Sequence, residues 1–132
     1  MPDNIRDRLV AHLTDPDEFW GEYVIPSVAR NDPHFDPKTM WRGPVWVNIN
    51  YFFIEALRQV GEYALACTLL EKTLDLVMSQ PSIYEYYNSQ TGEPPVTVAD
   101  IFGWTAAVFI DLAIQASHEG ETEIPERPFT TE

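Results

Sequence analysis

Two tryptophans, an arginine and two asparagines stand close together near the middle of this chain. The segment reads Trp41-Arg42-Gly43-Pro44-Val45-Trp46-Val47-Asn48-Ile49-Asn50. Indole faces can stack on the apolar face of a sugar ring, while guanidinium and amide groups can satisfy its hydroxyls. The same residue types could instead form a tryptophan-rich core in which Arg42 pairs with a carboxylate. The segment therefore predicts either a carbohydrate site or an aromatic core.

The composition of the chain limits the classes of function that it can have. Its 132 residues are 45% hydrophobic and 13% aromatic, which is enough for one folded domain with a real core. The formal net charge of −13 argues against nucleic acids and anionic membranes as partners, because both bind clustered lysine and arginine. No apolar run is long enough to span a membrane and no signal region opens the chain, so we expect a cytoplasmic protein.

Cysteine and histidine provide no framework for a disulfide or a metal. Cys67 is the only cysteine and is expected to be a small core residue on a helix. His12, His34 and His118 have no ligand spacing, and no phosphate-binding glycine loop is visible. We therefore expect no metal and no cofactor.

Hydrophobic periodicity predicts four helices and two long connections. The predicted helices cover residues 4–14, 44–60, 63–78 and 105–118, and the connections cover 15–43 and 80–104. Helices 44–60 and 105–118 are apolar on almost every face, so we expect them to be the most buried. Within the second connection, 96–98 is a candidate for a short strand. Asn48 and Asn50 are predicted either to bind a ligand or to hold the backbone of the long loops, and Asp111 and Gln115 to be satisfied core polar groups.

The order of these elements predicts an all-α fold. Amphipathic helices alternate with wholly apolar ones, as in two hairpins of a layered helical toroid with half-exposed outer helices and buried inner helices. Both long connections then lie on the same face, where each enters an inner helix, and residues from both can build one site. We expect residues 1–118 to form this partial toroid and residues 119–132 to form an acidic flexible tail.

Several motifs in this chain resemble those of glycoside hydrolase family 63 and its bacterial relatives. The motifs are Phe19-Trp20, Ile25-Pro26-Ser27-Val28, Asp32-Pro33-His34-Phe35, Trp41-Arg42-Gly43-Pro44-Val45-Trp46, Asn48, Asn50-Tyr51, Tyr84-Glu85-Tyr86-Tyr87-Asn88, Thr91-Gly92 and Trp104-Thr105-Ala106-Ala107. They occur in order over roughly residues 5–117. The resemblance implies an (α/α)6 toroid that hydrolyses α-glycosidic bonds with inversion, as an α-glucosidase or a mannosylglycerate hydrolase does.

The resemblance also implies roles for individual residues. Inverting glycosidases use one carboxylic acid to protonate the leaving oxygen and a second carboxylate to activate water. By its place in the tyrosine-rich motif, Glu85 matches the general base, with Glu93 and Asp32 as alternative carboxylates. The positions that match a sugar-binding role are Trp41, Arg42, Trp46, Tyr84, Tyr86, Asn88 and Trp104.

The chain departs from the family pattern in its extent. A complete toroid has twelve helices, whereas this chain provides about four, and the family's general acid is expected in a part before residue 1. We therefore expect the chain to carry the general-base half of the site and to be inactive alone. The alternatives are a noncatalytic carbohydrate-binding or oligomerising module, and a decayed reading frame that still folds. The open edges of a partial toroid predict a homo-oligomer or a complementary upstream fragment as partner, in addition to a carbohydrate ligand.

Overall fold

The computed structural model describes residues 1–121, and α-helices are the regular structure of this part of the chain. Helix α1 covers Asp3–Thr14, α2 covers Val47–Gln59, α3 covers Tyr63–Met78 and α4 covers Gly103–Glu121, and a short 3-10 turn covers Met40–Arg42. Within the described range there is no β-strand, and the loops are joined by isolated bridges. The predicted all-α fold is confirmed. None of the helices in this range has the length and apolar character needed to cross a membrane.

Two predictions outside the helix interiors have different outcomes. The candidate strand at 96–98 is wrong, because Val96 and Thr97 form an exposed turn and the bridge in this loop pairs Tyr84 with Asp100 instead. Of the predicted acidic tail, residues 119–121 belong to α4, and residues 122–132 lie outside the described residues.

Helix α2 begins later than its apolar pattern predicts. The sequence favours a start at Pro44, but the helix begins at Val47, with Trp46 as its N-cap residue. Val45 is fully buried and uses its backbone N–H and carbonyl to bond another loop, so it is not available for the helix. At the other end, Gly61 has a φ of +86°, a conformation that favours glycine and ends the helix.

The hydrophobic core lies between α2, α3 and α4, and α2 packs most extensively on α3. Its completely buried residues include Ile54 of α2, Leu69 of α3 and Leu112 of α4. Inside this core, Asn50 Nδ2 donates to the Thr73 hydroxyl at 3.1 Å. The Asn50 side-chain amide therefore joins α2 to α3, and it does not bond the backbone of the long loops, which was one of its two predicted roles.

The burial of α4 differs from the prediction. Helix α3 buries residues along its whole length, whereas α4 buries only Thr105 and Leu112 among its described side chains. Ile110 of α4 is 59% exposed and Phe52 of α2 is 61% exposed. The expectation that 105–118 is among the most buried segments is wrong, because no other described helix packs against this side of α4. Cys67, expected in the core, is also exposed, since it lies on the outward side of α3.

Candidate functional site

Backbone hydrogen bonds join the two long loops in front of α2 and α4. The Val45 N–H donates to the Tyr87 carbonyl at 2.8 Å, and the Tyr87 N–H donates to the Val45 carbonyl at 3.0 Å. Val45 also forms an isolated bridge with Pro26, so three loop segments meet at this residue. Because the pairing of 45 with 87 is antiparallel, Trp46 lies opposite Tyr86.

The turn that leads into Val45 requires a glycine at position 43. Gly43 has a φ of +153°, and a Cβ atom there would lie 2.6 Å from the Asp36 carbonyl oxygen. The Gly43 N–H donates to the Ser27 hydroxyl at 3.0 Å, and the Asp36 N–H donates to the Arg42 carbonyl at 2.7 Å. Earlier residues of the first long loop therefore help to hold the turn that contains Trp41.

Three aromatic rings form a stack at the start of α2. The indole rings of Trp41 and Trp46 are parallel within 4°, with centroids 3.8 Å apart, and the Tyr86 ring lies 5.0 Å from that of Trp46. Trp46 is only 3% exposed, whereas Trp41 is 47% exposed. The stack thus offers one open indole surface, that of Trp41, on which the apolar face of a sugar could pack.

The backbone of Glu85 lies beside the start of α4. Its N–H donates to the Ala99 carbonyl at 2.9 Å, and its carbonyl lies 3.5 Å from the Thr105 hydroxyl. Trp104, which directly precedes Thr105 in α4, is 50% exposed. The structure therefore brings Glu85, Trp41 and Trp104 to the ends of α2 and α4 that the two long loops enter, as the sequence predicts.

Arg42 is exposed beside Trp41 and reaches toward the first long loop. Its Nε donates to the His34 carbonyl at 3.3 Å. Asp32, one of the alternative carboxylates, accepts from the His34 N–H at 2.7 Å, and this hydrogen bond holds the pKa of Asp32 below its ordinary value. Asp32 is thus engaged in shaping its own turn.

Asn88 lies in the second long loop and folds it. Its Oδ1 accepts from the Gln90 N–H at 2.8 Å and its N–H donates to the Glu93 carbonyl at 2.9 Å. Within this loop, Gly92 has a φ of +74°, and a Cβ there would lie 2.4 Å from the Tyr23 ring. Asn88 also borders an open cleft of about 440 Å³ between the two long loops, which is lined by Lys38, Thr39, Asn88, Thr91, Glu93, Pro94, Pro95, Val96 and Thr97.

The role of Tyr87 in building the site was not evident from the sequence. Its hydroxyl accepts from the Tyr84 N–H at 3.1 Å, and the two rings meet edge to face with centroids 6.2 Å apart. Burial raises the pKa of the Tyr87 hydroxyl above its ordinary value. Tyr87 is buried beneath the turn that carries Glu85 and therefore shapes this turn. The signal that could have suggested its role was the cluster of three tyrosines within residues 84–87.

A polar network joins α2 and α4 beyond the site. Gln115 Nε2 donates to Asp111 Oδ2 at 2.7 Å, and Arg58 Nη1 donates to Gln115 Oε1 at 2.5 Å. A hydrogen bond between Tyr51 and Asp111 raises the pKa of Tyr51. Asp111 is exposed, so its prediction as a core polar group is wrong, although it is hydrogen-bonded. Among the side chains that the structure describes, those of residues 1–118, no group of three or more His, Cys, Asp or Glu could hold a metal ion.

Helical elements with a site at the loop-bearing ends of α2 and α4 are what a toroidal glycoside hydrolase contains. A family model described as the Mannosylglycerate hydrolase MGH1-like glycoside hydrolase domain matches residues 1–105, and the chain belongs to this family.

Individual relatives agree with this assignment. A mannosylglycerate hydrolase of Thermus thermophilus is 39% identical over 99 residues, which are 73% of this chain and 23% of the relative. The mannosyl-oligosaccharide glucosidase of Saccharomyces cerevisiae is 31% identical over 121 residues, which cover 77% of this chain and 14% of the yeast protein.

A solved structure shows the same relationship in three dimensions. The glycoside hydrolase family 63 mannosylglycerate hydrolase from a second strain of Thermus thermophilus, in complex with glucose, superposes with a TM-score of 0.68 at 36% identity. The match covers 83% of this chain and 26% of that enzyme. The chain therefore spans about a quarter of the length of these bacterial relatives, and its helices correspond to part of their helical toroid.

Proposed function

We propose that this chain supplies the general-base half of the active site of an inverting α-glycoside hydrolase, with Glu85 as the base. The observation that carries the proposal is the pairing of Val45 with Tyr87, which places the loop of Glu85 against the Trp41–Trp46 stack. A sugar stacked on Trp41 or Trp104 would lie at the same end of the helices as the carboxylate. Glu85 would then remove a proton from the water that attacks the anomeric carbon.

The relatives support a substrate class for this proposal. Proteins named mannosylglycerate hydrolase, glucosylglycerate hydrolase and mannosyl-oligosaccharide glucosidase all match this chain. The substrate would therefore be an α-linked mannoside or glucoside. Two exposed indoles, an arginine and the partly exposed Tyr84 beside Glu85 are suited to such a ligand, because they combine apolar ring faces with donors for hydroxyl groups.

The chain alone is expected to have no glycosidase turnover. Inversion needs an acid and a base roughly 6.5–9.5 Å apart. The family's acid has no matching position in this sequence, and loss of one such group typically lowers the rate by about 10²–10⁴-fold. In the complete site, the acid would come from a further segment of a toroid.

The partner would pack on a face of α2 and α4, which we define by the exposed side chains of Phe52, Ile110 and Ile114 and name the α2/α4 face. Each of these residues is adjacent in sequence to a member of the polar network of Tyr51, Asp111 and Gln115. Because these polar groups are already hydrogen-bonded, covering the face would not leave them unsatisfied. A complementary toroid segment or another copy of this chain could supply the cover.

A noncatalytic carbohydrate-binding role is the second candidate. It is favoured by the exposure of Trp41 and Trp104, at 47% and 50%, because these surfaces can stack on a sugar without a second carboxylate. The two functions are distinguished by Glu85, which hydrolysis needs and simple stacking does not.

A chimaera tests the proposed function directly. The segment of the 39% identical Thermus thermophilus enzyme that matches this chain would be replaced by the corresponding residues of this chain, and hydrolysis of mannosylglycerate would be measured. We expect activity that Glu85→Gln lowers by about 10²-fold or more, whereas the matched control Glu93→Gln retains most of it. A folded, active chimaera that is unaffected by Glu85→Gln would refute the assignment of the base.

A further inference from the structure

We infer that Trp46 is a positioning residue, which orients the open face of Trp41 relative to Glu85 and does not itself touch the sugar. The inference rests on the proposed function for the identity of the ligand and of the base. The statement that Trp46 holds the Trp41 ring in place rests only on the contacts between these side chains and does not depend on the ligand.

The Trp46 side chain has neither a free surface nor a free donor for a ligand. It is 3% exposed, and its Nε1–H donates to the Met40 carbonyl at 3.1 Å. Indole carries only this one hydrogen-bond donor and no acceptor. A sugar hydroxyl could therefore bond Trp46 only by displacing Met40, whereas the neighbouring indole of Trp41 is half exposed.

The stack fixes Trp41 as a platform. One face of the Trp41 ring lies on Trp46, with centroids 3.8 Å apart and planes 4° from parallel, so its exposed surface has a defined direction. A side chain that is held in its binding orientation loses less conformational freedom when a ligand binds. Without Trp46 beneath it, the Trp41 ring would lose the contact on this face and could occupy additional side-chain rotamers.

Met40 adds a second constraint on the same turn. Its φ is +24°, an unusual conformation for a residue other than glycine. Such a conformation persists only when the surrounding structure enforces it. The hydrogen bond from Trp46 to the carbonyl of this residue contributes to that enforcement, because it restrains the peptide plane between Met40 and Trp41.

Trp46 also connects the platform to the loop of the base. Tyr86, which follows Glu85, has its ring centroid 5.0 Å from that of Trp46, with the planes tilted by 31°. The adjacent pairing of Val45 with Tyr87 sets the register of these two rings. The buried indole of Trp46 thus contacts both the Trp41 ring and Tyr86, the residue next to Glu85, so it sets the position of the Trp41 surface relative to the Glu85 loop.

Fluorine NMR of the full chain labelled with 5-fluorotryptophan tests this role. The four tryptophans give four signals, which are assigned by single substitutions to phenylalanine. We expect Trp46→Phe to change the linewidth of the Trp41 signal by more than about twofold, while the control Trp20→Phe leaves that signal unchanged. If Trp46→Phe does not fold, as judged by the signal of Trp20, Trp46→Tyr is used, since it keeps an aromatic ring but removes the indole N–H.

Glucose as the probe separates this inference from the proposed function. In the wild-type chain we expect glucose to shift the Trp41 signal and to leave the Trp46 signal in place. A shift of the Trp46 signal as large as that of Trp41, or an unchanged Trp41 linewidth in the folded Trp46 variant, would overturn the positioning role. If glucose shifts no signal, sugar binding by this chain fails, while the linewidth comparison still decides whether Trp46 positions Trp41.

Discussion

Val45 and Tyr87 lie in different loops, both completely buried, and exchange two backbone hydrogen bonds at 2.8 and 3.0 Å. This pair acts as a short piece of antiparallel ladder in a chain whose described residues contain no strand. Its register places Trp46 opposite Tyr86, and Glu85 one residue further along. The geometry of the candidate site therefore depends on a contact between segments that are distant in sequence.

The Tyr87 hydroxyl is expected to contribute to the stability of this arrangement. In Tyr87→Phe, the Tyr84 N–H loses its acceptor inside the structure, which should lower the free energy of unfolding by about 1–3 kcal/mol. Urea denaturation followed by circular dichroism measures the change. Tyr63→Phe is the control, because Tyr63 is well exposed on α3. Equal stabilities of the two variants would contradict the role of the hydroxyl.

Gly43 should not tolerate a side chain. Gly43→Ala would force a Cβ to within 2.6 Å of the Asp36 carbonyl oxygen at a φ of +153°. Holding a residue other than glycine in a sparsely populated conformation costs about 1–3 kcal/mol, so we expect at least this loss of unfolding free energy.

The matched control for Gly43 is Gly103. A Cβ at Gly103 would meet no atom within 4 Å, and the residue opens α4. Gly103→Ala should therefore be neutral or stabilise the chain by up to about 1 kcal/mol. If both alanine variants had the same thermal unfolding midpoint, the close approach of Asp36 to Gly43 would be wrong.

The helices could be predicted from the sequence because their apolar periodicity is local. Residues of α2 from Val47 onward show it over several turns, and the predicted helix is present. The start of this helix could not be predicted, because the Val45 backbone bonds that of Tyr87 instead of joining the helix. No local pattern encodes a partner that lies so far along the chain. The exposure of Ile110 could not be predicted for a similar reason. An apolar residue is buried only where a neighbouring element covers it, and the local sequence does not show whether such an element is present.

The sequence predicts which end of the helices carries the candidate residues, but not how their side chains are arranged there. The position of Trp41 and Glu85 in loops that enter α2 and α4 was enough to predict that they lie at one end of the helices. The division between Trp41, which is exposed, and Trp46, which is buried beneath it, depends on a ring contact that spacing alone does not specify. Asn88 likewise has side-chain chemistry that suits a sugar, but its Oδ1 folds its own loop.

The turn before Trp41 should weaken in acid through Asp36. Hydrogen bonds from the Thr39 hydroxyl at 2.7 Å and from the Lys38 N–H at 3.1 Å hold the pKa of Asp36 below its ordinary value. A carboxyl whose pKa is lower in the folded chain contributes stability above its unfolded pKa of about 3.9. This contribution is lost as the pH falls through the lower, folded pKa.

The comparison of wild type with Asp36→Asn isolates this effect from the other carboxyl groups. We expect the wild type to be the more stable chain near pH 6, and the difference to shrink as the pH falls below about 4. Unfolding by urea at each pH, followed by tryptophan fluorescence, gives the difference. A difference that stays constant from pH 6 to pH 3 would show that Asp36 does not have a lowered pKa in the folded chain.

The last prediction is that the α2/α4 face associates in solution. Phe52, Ile110 and Ile114 each expose a little more than half of their surface. Full burial of such a side chain from full exposure is worth about 1.5–3 kcal/mol, so covering the exposed part of each would contribute roughly half of that amount. A symmetric dimer is the commonest way to cover such a face, although the net charge of −13 opposes it. Because salt shortens the range of this repulsion, with a Debye length of about 10 Å at 0.1 M and about 3 Å at 1 M, association should be tighter at high salt.

Light scattering at both salt concentrations measures the mass of the associated species. Phe52→Ser should weaken association by about tenfold or more, whereas the control Met78→Ser, on the exposed side of α3, should not. A species of 15.1 kDa in both conditions at micromolar concentration would mean that the face stays open in the isolated chain, and a complementary toroid segment would then be the remaining candidate to cover it.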